Sequence, residues 1–245
     1  MSSPTSPGAA AQPAPDRQPE PSEQPGQPAF AGFPEEALDF YDDLEVDNTR
    51  SFWLAHRQQY DDSVRAPMLA LTAALEAEFG AAKVFRPYRD VRFRKDKTPY
   101  KTHQGAFVAA GPSCGWYVQV SARGVRTGAG FYRADPPALA RYRAYAADPD
   151  TGPLLAELVA GAEADGWALG GDRLKTAPRG FDAGHPRIAL LRHRSLHLDR
   201  DHGFEPAVIG VPGFAETVRR DWRSLRPLVE ALAEVLDDPF GAEPT

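Results

Sequence analysis

Between Trp53 and Phe79 the side chains Trp53, Arg57, Tyr60, Val64, Met68, Leu71, Leu75 and Phe79 recur at spacings of three and four. All but Arg57 are largely apolar, so the spacing predicts one buried face on a long helix. That period stops at Lys83. Residues 83–94, 105–110, 116–122 and 125–132 are short, partly alternating segments rich in aromatic and β-branched side chains, with Gly111, Gly115 and Gly124 at the turns. Such segments read as strands, and the step from Ser121 to Val125 reads as a hairpin. Residues 190–198 read as one more strand. Helical spacing returns at 136–145 and 153–164, and then along Phe214, Val218, Trp222, Leu225, Val229, Leu232 and Leu236, with Pro227 inside. Helices at both ends of a run of strands exclude alternating βαβ units. They predict an α+β fold in which an antiparallel meander is packed by N-terminal and C-terminal amphipathic helices.

The boundaries follow from local chemistry. Residues 34–44 predict a short helix with Pro34 in its first turn and Leu38, Tyr41 and Leu44 on one face. Asp47 or Asn48 offers an N-cap for the long helix, Gly80 ends it, and Pro67 inside it predicts a kink or a division. Residues 1–29 are Pro, Ala, Gln, Ser and Glu with few large apolar side chains. They bury too little to offset ordering entropy and are expected to be a disordered tail. One domain is expected over 30–240, with a short tail at 241–245.

Composition narrows the function classes. The formal net charge is -6, which counts against a chain that binds nucleic acid or membrane over its whole surface. The single cysteine, Cys114, permits neither an internal disulfide nor a thiolate metal cluster. No apolar run approaches the ~20 residues that span a bilayer, and the first thirty residues lack a secretory pattern. A cytoplasmic location is the expectation, with no metal, no cofactor and no membrane partner.

Against this acidic background one stretch stands out. Between Lys83 and Lys101 lie Lys83, Arg86, Arg89, Arg92, Arg94, Lys95, Lys97 and Lys101, against only Asp90 and Asp96. Cations packed so closely repel and call for an anionic counterpart. Four of the five lysines in the chain fall here; the fifth is Lys175. Elsewhere the chain uses arginine, so the clustering suggests a need for a compact ammonium whose pKa burial can lower.

The segment RFRKDKTPYKTH, with FRPYRD before it and LKTAPRGFDAGHP later, resembles the signature of the domain-of-unknown-function 2461 family. The resemblance extends from Gly32 to about Leu236. Phe33, Leu44, Asn48, Trp53 and Tyr60 match its N-terminal pattern, and Gly128, Gly130 and Phe131 match a later one. It implies a conserved domain of bacteria and fungi and brings with it no activity, cofactor or substrate.

The residues themselves suggest a small anionic ligand, phosphate or carboxylate in character, held by Arg86, Arg89, Arg92, Lys95, Lys97, Tyr100, Lys101 and Lys175, with His103 at the edge of the rim. Whether a reaction follows is left open by the sequence. If one does, His185 or a lysine of lowered pKa is the acid–base candidate, with Asp90 or Asp96 as the orienting carboxylate. Two rivals stand beside this reading: a protein that binds or processes a nucleic-acid backbone with the same strip, and an interaction protein docking an acidic partner. A structural ion-pair network, with Asp42, Asp43, Glu45 and Asp47 against the strip, is the bland alternative. The GPSCG run at 111–115 joins two strands and lacks the strand-to-helix context of a nucleophile elbow. His193, His197, Asp199, Asp201 and His202 lack a metal-binding context; Ser195, His197, Asp199 and Asp201 are expected on a solvated sheet face opposite Leu196 and Leu198. Oligomeric state is not legible.

Overall fold

The computed structural model describes residues 28–89, 92, 96–111 and 113–237. The tail expected at 1–29 lies outside the described residues up to position 27, as do the tail at 241–245, Asp90, Arg94 and Lys95. The chain opens with α1 (Glu35–Val46), α2 (Arg50–Ala55), α3 (Arg57–Gln59), a π-helical turn (Tyr60–Arg65) and α4 (Ala66–Phe79). The strands β1 (Ala82–Val84), β2 (His103–Ala109), β3 (Cys114–Ser121) and β4 (Gly124–Phe131) follow. Then come α5 (Pro136–Ala147), α6 (Thr151–Ala164), β5 (Ala168–Gly170), α7 (Ile188–Leu191), β6 (Leu196–Asp201), α8 (Pro206–Ile209), α9 (Phe214–Ser224) and α10 (Arg226–Leu236). The six strands form one antiparallel sheet in the order β1-β2-β3-β4-β6-β5. This is the α+β arrangement expected from the sequence.

The long helix expected from residue 48 to Gly80 breaks at His56 and, as expected, is divided before Pro67. The proline ring cannot lie against the carbonyl four residues back, so the preceding turn widens into the π form before α4 begins. The N-cap is Thr49, whose hydroxyl accepts the Phe52 N–H at 3.2 Å. Asn48 is occupied elsewhere: its amide donates to the Tyr100 carbonyl and its oxygen accepts the Tyr100 N–H, both at 3.1 Å. The C-terminal helix is likewise two, α9 and α10, with Pro227 in the first turn of the second.

Two strand expectations need correction. Among the described residues the strand read across 83–94 is Ala82–Val84, because Pro87 has no N–H to extend the ladder. An isolated bridge, Tyr88 to Tyr100, continues the pairing, and Arg92 lies exposed in a turn. The strand read across 190–198 is instead a helical turn, α7, followed by β6; four apolar residues are too few for a period to tell helix from strand.

Alternation in the strands sorts side chains onto two faces. Trp116, Val118 and Val120 of β3, Ala129 and Phe131 of β4, and Leu196 and Leu198 of β6 are buried on one face. Against it pack α1, α4, α9 and α10 with Leu44, Leu71, Leu75, Val218, Trp222, Val229 and Leu232. The other face carries His103, Phe107, Tyr117, Gln119, Arg126, His197 and Asp199, in register across the sheet: Phe107 opposite Tyr117, Gln119 opposite Arg126, Gly128 opposite Asp199.

Candidate functional site

That second face forms the floor of a cavity of about 670 Å³, within the usual range of small-molecule sites. Phe85, Phe107, Tyr117 and Tyr132 give it aromatic walls, and His103, Gln119, Arg126, His197 and Asp199 give it polar ones. Glycines let the lining side chains lie close on the strands. A Cβ on Gly105 would collide with the Tyr117 hydroxyl, one on Gly128 with an Asp199 carboxylate oxygen, and one on Gly170 with the His197 ring. Glycine inside a strand weakens it, and close approach of this kind is the usual return.

Within the cavity Gln119 Oε1 accepts from Tyr117 at 3.0 Å and from Arg126 Nη2 at 3.1 Å. The Tyr132 ring stacks on His197 with centroids 4.8 Å apart. His197 Nδ1 lies 3.0 Å from Asp199 Oδ2, close enough for an ion-pair contact but without the alignment of a hydrogen bond. Among the described residues, three buried polar atoms here lack a hydrogen-bond partner: Tyr132 Oη, Arg126 Nε and His197 Nδ1. Buried polar atoms are normally satisfied, so three in one hollow require an account.

Burial drives the Tyr117 phenol up to about 12, with Arg126 opposing and Asp199 reinforcing the shift. Burial also raises the Tyr132 phenol well above its ordinary value, with the charge of Asp199 adding to it. Both are hydrogen-bond donors at neutral pH. His103 is pushed the other way, first by burial and then by the positive charges of Lys101, Arg126 and Arg89. Three cations thus act on one imidazole in the cavity wall, two of them from the basic stretch.

The basic stretch joins the sheet just beyond β1. Arg89 N–H donates to the Pro99 carbonyl and Lys101 N–H to the Pro87 carbonyl, both at 2.8 Å, so the chain doubles back on itself. Tyr100 is buried and stacks on Trp53 with centroids 4.4 Å apart; its ring is part of the core. Asp96 is engaged by Thr98, whose N–H and hydroxyl both donate to it, and by Arg89 at 2.5 Å. These bonds hold its carboxyl below the usual range, those from Thr98 most strongly. Lys101 Nζ donates to the Arg86 carbonyl at 2.8 Å and sits 5.3 Å over the Phe85 ring. Partial burial, with Arg86 and Arg89 nearby, holds its ammonium below the ordinary lysine value. Arg86, Arg92 and Lys97 are exposed.

Lys175 and His185 lie elsewhere. They belong to the loop after β5, which is the opposite edge of the sheet from β1. Lys175 is exposed, and His185 Nδ1 accepts the Arg187 N–H at 3.1 Å. Arg187 in turn donates to the carbonyls of Ala146, Ala147 and Asp148 at the end of α5. The sequence pattern puts His197 and Asp199 on a solvated face; they are half-buried in the cavity. It gives no prominence to Arg126, Tyr117 or Tyr132. The available signal was the glycine content of β4, Gly124, Gly128 and Gly130, high for a strand in mid-sheet.

The Ser113–Cys114 step joins two strands, and burial drives the Cys114 thiol up to about 12, which leaves it inert. A second groove of about 450 Å³, lined by Leu154, Leu158, Trp167 and Leu225, is mainly apolar and holds little chemistry. No helix among the described residues is long and apolar enough to cross a membrane.

The family model for the conserved hypothetical protein DUF2461 matches residues 36–230. The chain belongs to that family, as the motif from Arg92 to His103 suggested. No curated protein and no solved structure matches it.

Proposed function

We propose that the protein binds a small anionic ligand in the cavity on the open face of the sheet, its acidic group held by Arg126 and drawn by Lys101 and Arg89. The carrying observation is the meeting of two features at His103. A cavity with unsatisfied buried donors, Tyr132 Oη and Arg126 Nε, abuts a cationic segment whose charge acts on that imidazole. An anion at Arg126 would engage that guanidinium and offset the repulsion among the cations at once. Within the described part of the basic stretch Tyr100 is in the core and Arg89 is paired with Asp96, so Arg89 acts on the ligand through its charge and not as a direct fork.

The test is thermal unfolding in low-salt buffer with inorganic phosphate, phenyl phosphate, adenosine monophosphate, benzoate and citrate. A ligand at a hundred times its Kd adds about 2.7 kcal/mol, which in a domain of this size is worth several degrees in Tm. The expected result is stabilisation by at least one anion, lost in Arg126→Ala. Stabilisation by none, or a shift unchanged in Arg126→Ala, overturns the reading. NMR titration of His103 supplies a local readout. A bound anion favours the imidazolium, so the His103 pKa rises on binding and affinity strengthens as pH falls through that value.

A further inference from the structure

We infer that the ligand of this cavity carries a planar ring as well as an acidic group: a ring-bearing carboxylate or phosphate of one or two rings. This rests on the anion-binding reading above and makes it more specific.

Shape and chemistry both divide the cavity. At the end near the basic stretch stand His103 and Arg126, with Lys101 beyond them over Phe85. Beyond them the lining mixes the aromatic rings of Phe107, Tyr117 and Tyr132 with the polar groups of Arg133, Asp135, His197 and Asp199. Phe107 meets Tyr132 edge-on at 5.8 Å, Tyr117 lies 5.8 Å from Tyr132, and Phe85 lies 6.5 Å from Tyr117. A bare phosphate or a short carboxylate would fill the cationic end and leave these walls facing water. About 670 Å³ is far more than such an ion occupies. These rings touch one another and so form a continuous aromatic surface, on which a flat apolar body gains edge and face contacts as well as burial.

The strand glycines set where the aromatic walls lie. Gly105 and Gly128 lie under Tyr117 and under the Asp199–Tyr132 pair, and any side chain at either position would collide with them. They let Tyr117, Asp199 and Tyr132 lie down on the strands, Gly105 in the row of Gln119 and Arg126 and Gly128 in the row of Phe107 and Tyr117. At the far end Tyr132 Oη, a donor, and the His197–Asp199 pair offer polar contacts to a ring substituent.

The experiment compares phenyl phosphate and benzoate with inorganic phosphate, acetate and the neutral rings phenol and benzamide, by calorimetric titration of the full chain. Ring-bearing anions are expected to bind at least tenfold tighter than either the ring-free anions or the neutral rings. Tyr132→Phe is expected to weaken a hydroxylated ring anion, 4-hydroxybenzoate, more than benzoate itself. Gly128→Ala, whose Cβ displaces Asp199 and Tyr132 toward the cavity, is expected to abolish ring-anion binding while leaving phosphate binding in place; Phe107→Ala, on the wall, serves if that variant fails to fold and is expected to lower ring-anion affinity alone. Equal affinity for phosphate and phenyl phosphate overturns the ring inference and leaves the anion reading standing. Tight binding of phenol overturns both.

Discussion

Strands β4 and β6 carry a polar cluster on each of their faces, and the two clusters are completed differently. On the helix side, Asp221 of α9 accepts from Thr127 at 2.7 Å, from His202 at 2.8 Å and from Arg200 at 2.8 Å. Arg200 also donates to the Asp165 carbonyl at 2.6 Å and packs over the Trp167 ring. On the other side of the same strands, Arg126, Tyr132, His197 and Asp199 leave three buried atoms without partners among the described residues. The same pair of strands thus holds a closed network and an open one. A closed buried network fixes one packing of its elements, here α9 against β4 and β6. An open one costs stability, and it persists where something from outside completes it.

The largest effect expected from breaking this contrast comes from the closed side. Asp221→Ala leaves Arg200 and His202 without their shared carboxylate and is expected to cost about 3 kcal/mol or more, read by denaturant unfolding. Asp221→Asn, which keeps the shape and one acceptor, is expected to cost less. Burial alone would raise the Asp221 pKa, but the bonds from His202 and Thr127 and the charge of Arg200 outweigh it and hold the carboxyl below its usual value. A folded pKa below the unfolded one gives stability that is complete above the unfolded value, about 3.9. It is lost as pH falls through the folded value, so the window lies below about pH 4. Wild type is therefore expected to lose stability more steeply than Asp221→Asn over that acid limb. Parallel pH curves for the two proteins would show that the carboxylate is not linked to folding.

A smaller effect is expected at the junction of the basic stretch with the core. Asn48 makes two hydrogen bonds to the backbone of Tyr100, and these pin the segment that carries Lys101. Asn48→Ala strands both backbone groups and is expected to cost about 2 kcal/mol. Since Lys101 loses its fixed place over Phe85, anion affinity is expected to fall as well. Unchanged affinity in a folded Asn48→Ala protein would separate Lys101 from the site.

The closed side was the more legible of the two. The helix faces of Leu71, Leu75, Val218, Trp222 and Val229 follow from a period of three and four, and the α+β order follows from where that period stops. The Ser121–Val125 hairpin was legible because Gly124, at a φ of 97°, supplies the conformation a tight turn needs. The divisions before α4 and between α9 and α10 were marked by Pro67 and Pro227, although the π form of the turn before Pro67 has no local signature. The site was legible only in part. Clustering of like charge is visible in one dimension, so Arg89 and Lys101 stood out. Arg126, Tyr132 and Asp199 are scattered over more than seventy residues and meet only through strand register. In the sequence each is one polar or aromatic residue in a strand, and nothing distinguishes a cavity wall from a solvated face. The β4 glycines held the missing information, since their Cβ positions are taken up by neighbouring chain, β6 above all.

The smallest effect is the sharpest test of the comparison. Tyr132→Phe deletes a buried hydroxyl that has no partner among the described residues and keeps the ring stacked on His197. Losing a satisfied buried hydrogen bond costs about 1 kcal/mol, whereas deleting an unsatisfied group is close to neutral or stabilising. Tyr132→Phe is therefore expected to match wild type within about 0.5 kcal/mol in the absence of ligand, or to exceed it. In contrast, Thr127→Val on the closed face removes a satisfied donor to Asp221 and is expected to destabilise by about 1–2 kcal/mol. If the two substitutions cost the same, the open face is as complete as the closed one, and its hydroxyl is answered by water or by the protein itself. If Tyr132→Phe is neutral alone yet abolishes the extra stabilisation that a bound ring anion provides, the hydroxyl belongs to the ligand.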